Sequence, residues 1–321
     1  MAPLARDSHT WLLIAAAILL VPGVGWAAAA EPVAVVTELR PGAGEIRIRR
    51  AGESGWSAAQ PLLALRPGDE VRVSGDGRVV VALAGGAVQT VSAANSPFVV
   101  HAPRGQSGTD TVRALLGGVV QFLLGQQRDV HYEALSVRTG PVIPRILSPR
   151  ETRLLPGPVV FEWAGPPSLR YRVRVLGPPG PLWEAGDLPL RPVEYPSSAP
   201  PFRPGSRYTW VLEAPGQLAQ QAHFELVTEP EASRLRAALA DLGPGALAGY
   251  PPNTTVLMRA AFLLREGLYE DVRRELIGGI SRDPAESTLH VLLGQVYERI
   301  GLPDLAAGAF EQASALSGPK P

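Results

Sequence analysis

The stretch that decides the fold runs from Leu65 to Val91, LRPGDEVRVSGDGRVVVALAGGAVQTV. Pro67-Gly68-Asp69 opens a turn, and Val71 and Val73 then alternate with Glu70 and Arg72. Gly75-Asp76-Gly77 reverses the chain, Val79, Val81 and Leu83 alternate again, and Gly85-Gly86 turns it once more before Val88 and Val91. Alternation at period two between glycine-rich reversals predicts three short strands in a half-buried antiparallel meander. No side chain in the stretch is suited to making or breaking bonds.

On either side the pattern continues. Glu45 to Arg49 alternates isoleucine with charge. Arg47, Arg49 and Arg50 suit either an anion site or the solvated face of an edge strand, and the second reading needs less. Ser96 to Val100 closes the meander, and Arg104 to Thr111 is small, polar and loop-like. Val112 to Gly125 is strongly apolar and fits helix or strand; the Val119-Val120 pair and the flanking glycines point to strand in its C-terminal half. Arg128 to Val142 is polar and carries one more predicted strand, Ala134 to Arg138. With Trp56, the pair Leu63 and Leu65, Gly68-Asp69, the Gly75–Gly77 reversal and Gly85-Gly86 in that order, residues 33–137 resemble the FecR-type domain of bacterial envelope proteins. The usual Thr-Gly after the first strand is Val73-Ser74-Gly75 here.

Ile146-Leu147-Ser148-Pro149 opens a second, proline-bounded unit. Strands are predicted at Val159–Trp163, Tyr171–Val175, Tyr208–Leu212 and His223–Leu226, the pattern of a small β-sandwich with Trp163 and Trp210 in its core. The order Phe-x-Trp, Tyr-x-Val-x-Val, Pro-Gly-x-x-Tyr-x-Trp resembles fibronectin type III-like modules. Arg170, Arg172 and Arg174 share one strand face and suit an acidic glycan or carboxylate. The plainer reading pairs them with Glu162, Glu184 or Glu194. Gly177 to Pro204 reads as a long ordered loop around Trp183.

Beyond Pro230 the pattern turns helical. Leu235, Leu239 and Leu242 recur at helical spacing, as do Leu268, Val272, Leu276 and Ile280, and then Leu289, Leu292, Leu293, Val296 and Ile300. Gly267-Leu268 and Gly301-Leu302 lie 34 residues apart. With Leu293, Gly294, Tyr297, Ala306, Phe310 and Ala313 they give residues 253–318 a resemblance to tetratricopeptide repeats, although Gly279 stands where alanine is usual and Arg259 replaces an apolar residue. Two repeats leave an apolar face open, to be covered by the Glu231–Leu242 helix, by a β module or by a partner. Asn253-Thr254-Thr255 reads as the cap of the next helix.

The 321 residues allow two to three domains, and a net charge of zero removes any bulk attraction to nucleic acid. With no cysteine there is no disulfide, thiolate or cysteine metal site. Trp11 to Val21 is an apolar run ended by Pro22-Gly23, and Ala28-Ala29-Ala30 precedes Glu31, the plan of a secretory signal peptide. Ten residues precede the run, too few for the cytoplasmic segment of FecR-type transducers. His101, His131, His223 and His290 stand apart with no metal-binding spacing, Gly105 to Gly108 lacks a nucleophile elbow, and Gly75-Asp76-Gly77 lacks a third glycine.

The expected fold class is multidomain β + α. It comprises a signal peptide (1–30), a FecR-like β-meander domain (31–145), a small fibronectin-like β-sandwich (146–229) and C-terminal α-helical hairpin repeats (230–321). The expected function is a non-catalytic periplasmic scaffold or adaptor without cofactor or metal. It would bind an envelope protein through its repeats, with Arg259, Gln295 and Arg299 as contacts. Its β modules would be spacers or would touch cell-wall glycan, and it would meet the membrane only if the leader is retained. The alternatives are the sensor module of an envelope signalling system and a glycan-binding protein using Arg170, Arg172 and Arg174.

Overall fold

The structure, a computed structural model, describes residues 30–102, 111–125, 143–243 and 245–317. The leader, most of the 104–111 loop, the Ala134–Arg138 strand and His131 lie outside the described residues. Among the described residues are four β-sheets and six α-helices, a mixed β and α architecture.

The first β region holds β1 (Ala34–Arg40), β2 (Ile46–Arg49), β3 (Ser57–Ala58), β4 (Ala64–Leu65), β5 (Glu70–Val73), β6 (Arg78–Leu83), β7 (Val88–Ser92) and β8 (Phe98–Val99). They form two sheets and not one meander, in the orders β4-β1-β6-β7 and β3-β2-β5-β8. β6 and β7 make the expected antiparallel hairpin, but β5 belongs to the other sheet. The reversal at Gly75 (φ +62°) carries the chain across. A Cβ at Gly77 would meet backbone oxygens at 2.9 and 3.1 Å, so only glycine fits that corner. Val79 and Val81 face the inter-sheet core beside Ile48, Val71 and Val73, while Ala82 faces the helices. β6 is therefore buried on both sides, as its unbroken VVVA run allows.

The second region holds β9 (Arg145–Ser148), β10 (Thr152–Leu154), β11 (Val160–Ala164), β12 (Tyr171–Gly177), β13 (Gly180–Leu188), β14 (Val193–Glu194), β15 (Arg207–Glu213) and β16 (Gln220–Leu226). A five-stranded sheet, β10-β16-β15-β12-β13, faces a three-stranded one, β14-β11-β9. The aromatic core is the expected one: Trp210 is fully buried against Phe161, ring centroids 4.9 Å apart, and Trp163 lies beside Tyr171. The expected loop from Gly177 is instead a tight hairpin into the nine-residue strand β13, turned at Gly180 (φ +123°). Trp183 of that strand does pack on Tyr195, as a loop around it would require.

The helices are α1 (Thr111–Gly125), α2 (Glu229–Asp241), α3 (Pro252–Arg265), α4 (Tyr269–Arg282), α5 (Ser287–Arg299) and α6 (Pro303–Ser317). The strand expected at Val119-Val120 is helix α1. Leu116, Val119, Val120, Leu123 and Leu124 form one apolar stripe within the helical core, and this packing overrides the β preference of two valines. α1, α2 and the outer face of β1 cover the apolar face that two helical hairpins leave open. Gly267 (φ +77°) and Gly301 (φ +73°) turn the two hairpins at equivalent points. At Gly294 α5 meets α6 closely, and a Cβ there would fall 2.4–2.8 Å from the Phe310 ring.

Gly294→Ala should therefore destabilise the protein by about 1–3 kcal/mol through overpacking. Gly278→Ala, on the open face of α4 with nothing within 4 Å, should be neutral or stabilising by up to about 1 kcal/mol. Urea unfolding of the two variants checks the contrast.

Candidate functional site

Many of the buried polar groups gather at the two ends of α3 and α5, while Asp69 stands apart, paired with Arg50 in the first β region. At the N-terminal ends stands β1. A bulge at Thr37 puts Thr37 and Glu38 together on the helix side, with Val36 and Leu39 left facing the sheet core. Glu38 is 1% exposed, and its Oε1 accepts from the Thr254 backbone N–H and from Thr254 Oγ1, both at 2.8 Å. Thr37 Oγ1 lies 3.1 Å from Thr254 Oγ1. The cap expected from residues 253–255 is therefore supplied by a strand 216 residues earlier; Pro251, at the helix start, makes no side-chain cap. At α5 the fully buried Glu286 accepts from its own Thr288 N–H at 3.3 Å and from the Leu39 N–H of β1 at 3.0 Å. Arg40 pairs with Asp283 and approaches Glu286 Oε2 at 3.5 Å. Burial, reinforced by the Glu38 charge, pushes the Glu286 carboxyl above its ordinary range.

At the C-terminal ends stands the β9–β10 segment of the sandwich. Arg153 donates from its backbone N–H to Gly267 O (2.9 Å) and from Nη1 to Glu266 O (3.0 Å). Arg150 donates from Nε to Ile300 O at 2.6 Å. Two arginines three residues apart thus cap two helices whose ends recur at 34-residue spacing, where the helix dipole favours cations. Burial lowers the Arg150 pKa, whereas the Arg153 bond to Glu231 raises that of Arg153 and lowers that of Glu231. Further along the same interface Arg273 binds Glu162 of β11 and Glu270 of its own helix. Burial opposes its charge, but the two carboxylates outweigh it and hold its pKa up. Burial raises the neighbouring Tyr297 hydroxyl.

The residues expected to bind partners have mixed placements. Arg259 is turned inward, donating to Leu239 O (3.1 Å) and Leu242 O (2.9 Å) at the end of α2 and pairing with Glu275 at 3.2 Å. Gln295 is half-buried; Arg299 is exposed, its guanidinium 6.0 Å from the Tyr269 ring centroid. Arg170, Arg172 and Arg174 each face a carboxylate: Asp187 at 3.7 Å, Glu184 at 3.3 Å and Glu213 at 2.5 Å. Of the acids expected for them only Glu184 takes part, because Glu162 is held by Arg273. His223 bonds Thr209 and His290 approaches Pro284 O; no group of three His, Cys, Asp or Glu suited to a metal occurs among the described residues. Glu38, Glu286, Arg150 and Arg153 were missed, although a glutamate inside the apolar run AVVTELR is a visible anomaly.

No protein-family model matches the chain, and no curated protein matches it in sequence. The described arrangement ties the helices to the sheets on both sides of them. Because folding raises the Glu286 pKa, the neutral carboxyl is the form the fold favours. Its contribution to stability is full below about pH 4.3 and is lost as pH rises through the higher folded value. Glu286→Gln should keep both accepted hydrogen bonds, melt no lower than wild type at pH 7.5 and flatten the stability change as pH rises from about 4.3 to 7.5. Glu286→Ala should lose about 1–3 kcal/mol through the stranded N–H groups. Thermal melts across that range distinguish them.

Proposed function

We propose that the protein is an exported, non-catalytic scaffold of the bacterial envelope, presenting its helical repeats to a protein partner while its β modules set their position. The observation that carries this reading is the double anchoring of α3 and α5. Their N-terminal ends are tied to β1 and their C-terminal ends to β9–β10, so three modules keep one fixed geometry. Module by module, the topology supports the resemblances. The order β10-β16-β15-β12-β13 over β14-β11-β9, with the Tyr208 hydroxyl accepting from Arg203 N–H at 2.6 Å, supports a fibronectin-like sandwich. The paired left-handed glycines 34 residues apart support tetratricopeptide-like hairpins. The two packed sheets of residues 34–99 support the FecR-like reading.

The inner helices α3 and α5 are occupied by α1 and β1, so the partner surface is the outward stripe of α4: Arg274, Ile277 and Ser281, with Ile277 38% exposed. Deleting 231–321 would uncover the buried carboxylate of β1, so a surface substitution is the cleaner test. Tagged full-length protein, cross-linked in cells and recovered from the envelope, should begin near Glu31 by mass spectrometry. It should carry a protein that Ile277→Asp loses at least about tenfold with an unchanged melting temperature. Identical partners on both proteins would rule out this surface, and a retained leader would make the protein membrane-anchored.

A further inference from the structure

On the outer face of the β3-β2-β5-β8 sheet, two cross-strand pairs lie side by side and are built oppositely. Arg49 stands opposite Glu70, and its guanidinium binds both carboxylate oxygens at 2.7 Å. The next pair is Arg47 opposite Arg72. Like charges directly opposite each other destabilise a sheet, and no carboxylate partner faces Arg72 among the described residues. Arg47 binds Glu45 through its Nε at 2.7 Å. Arg72 lies over Trp56, its guanidinium carbon 4.1 Å from the ring centroid, and Arg49 shares that ring at 4.8 Å. Stacking fixes the plane of a guanidinium while leaving its in-plane N–H fork free to grip an anion.

Arg47, with the Glu45 it binds, also lines an open groove of about 230 Å³ whose other walls include Pro41, Ala58, Ala59 and Ser317. That volume is below the range of sites that enclose a whole small ligand and suits one unit of a longer chain. The edge strand β3 has two residues, too short to recruit a peptide by strand addition, so recognition here is by side chains.

We propose that the Arg72–Trp56 stack, Arg47 and the adjoining groove form a binding site for a carboxylated polysaccharide. One carboxylate would sit between the two guanidiniums, and a neighbouring sugar ring would lie in the apolar groove. The assignment is separate from the protein-partner reading and gives the first β module a ligand of its own.

The test uses the purified full chain and polygalacturonate at 50 mM salt, read by calorimetry. Wild type should bind, with affinity falling about tenfold or more between 50 and 300 mM salt as the charges are screened. Arg72→Gln should bind at least about tenfold more weakly, with Trp56→Ala close to it, because one charge-assisted bidentate contact is lost. Arg66→Gln, an exposed arginine outside the pair, should bind within about twofold of wild type. The site is overturned if wild type does not bind, if Arg72→Gln binds like wild type, or if neutral dextran binds equally. Full displacement by inorganic phosphate at equal charge would reduce it to a general anion site. Tighter binding of polyglutamate would make the ligand an acidic peptide. A failure here leaves envelope capture through α4 untouched, and a failure there leaves this binding intact.

Discussion

A strand buried on both faces cannot carry a carboxylate unless something on its far side answers it, and β1 carries Glu38 in that position. An unpaired buried carboxylate would cost several kcal/mol. The bulge at Thr37 turns that liability into a joint by aiming Thr37 and Glu38 at the first turn of α3, where free N–H groups and the helix dipole favour an anion. The reciprocal contact at α5, from the Leu39 N–H to Glu286, means that the sheet and helices share hydrogen bonds across the joint. Neither layer closes its polar groups alone. That is why the helical core includes Val35 and Ala82 from the sheet while the sheet's other face keeps a core of its own.

The opposite ends obey the complementary rule. Helix C-termini present carbonyls and attract cations, and the sandwich supplies Arg150 and Arg153 from one short segment. Their spacing works because the repeat brings the loops at Gly267 and Gly301 alongside each other, within reach of successive turns of the same strand connection. Acid at one end and base at the other thus orient α3 and α5 between two β modules. The Glu162–Arg273–Glu270 cluster adds a side-chain contact on the same interface.

Much of this architecture was legible from local signals. Glycine reversals, alternating valines and the aromatic strand pattern each depend on neighbours close in sequence, and each marked its element. The misreadings came where distant packing decided. Val119-Val120 looks like strand until the helix stripe of Leu116, Leu123 and Leu124 finds its core. The strands on either side of Gly75 alternate in the same way whether they pair or part into two sheets. No window around Thr254 contains the glutamate that caps it. Arg259 is a further case: its neighbours on the helix do not reveal that the end of α2 lies within its reach.

The fold also limits where recognition can occur. A two-repeat helical array would normally offer its inner helices to a partner, yet here α1 and β1 fill that side and the buried carboxylates seal it. Opening it would take the Thr254 donors from Glu38 and the Leu39 donor from Glu286, a cost that a typical surface contact does not repay. Two surfaces that play no part in sealing are the outward stripe of α4 and the sheet face where Arg47 meets Arg72. At the second of these the fold tolerates an unfavourable pair. Its neighbour, Arg49 with Glu70, shows that an acid can be placed opposite an arginine on the same two strands. A like-charged pair kept beside a compensated one, next to an aromatic ring and a groove, is a local cost that an arriving anion would remove.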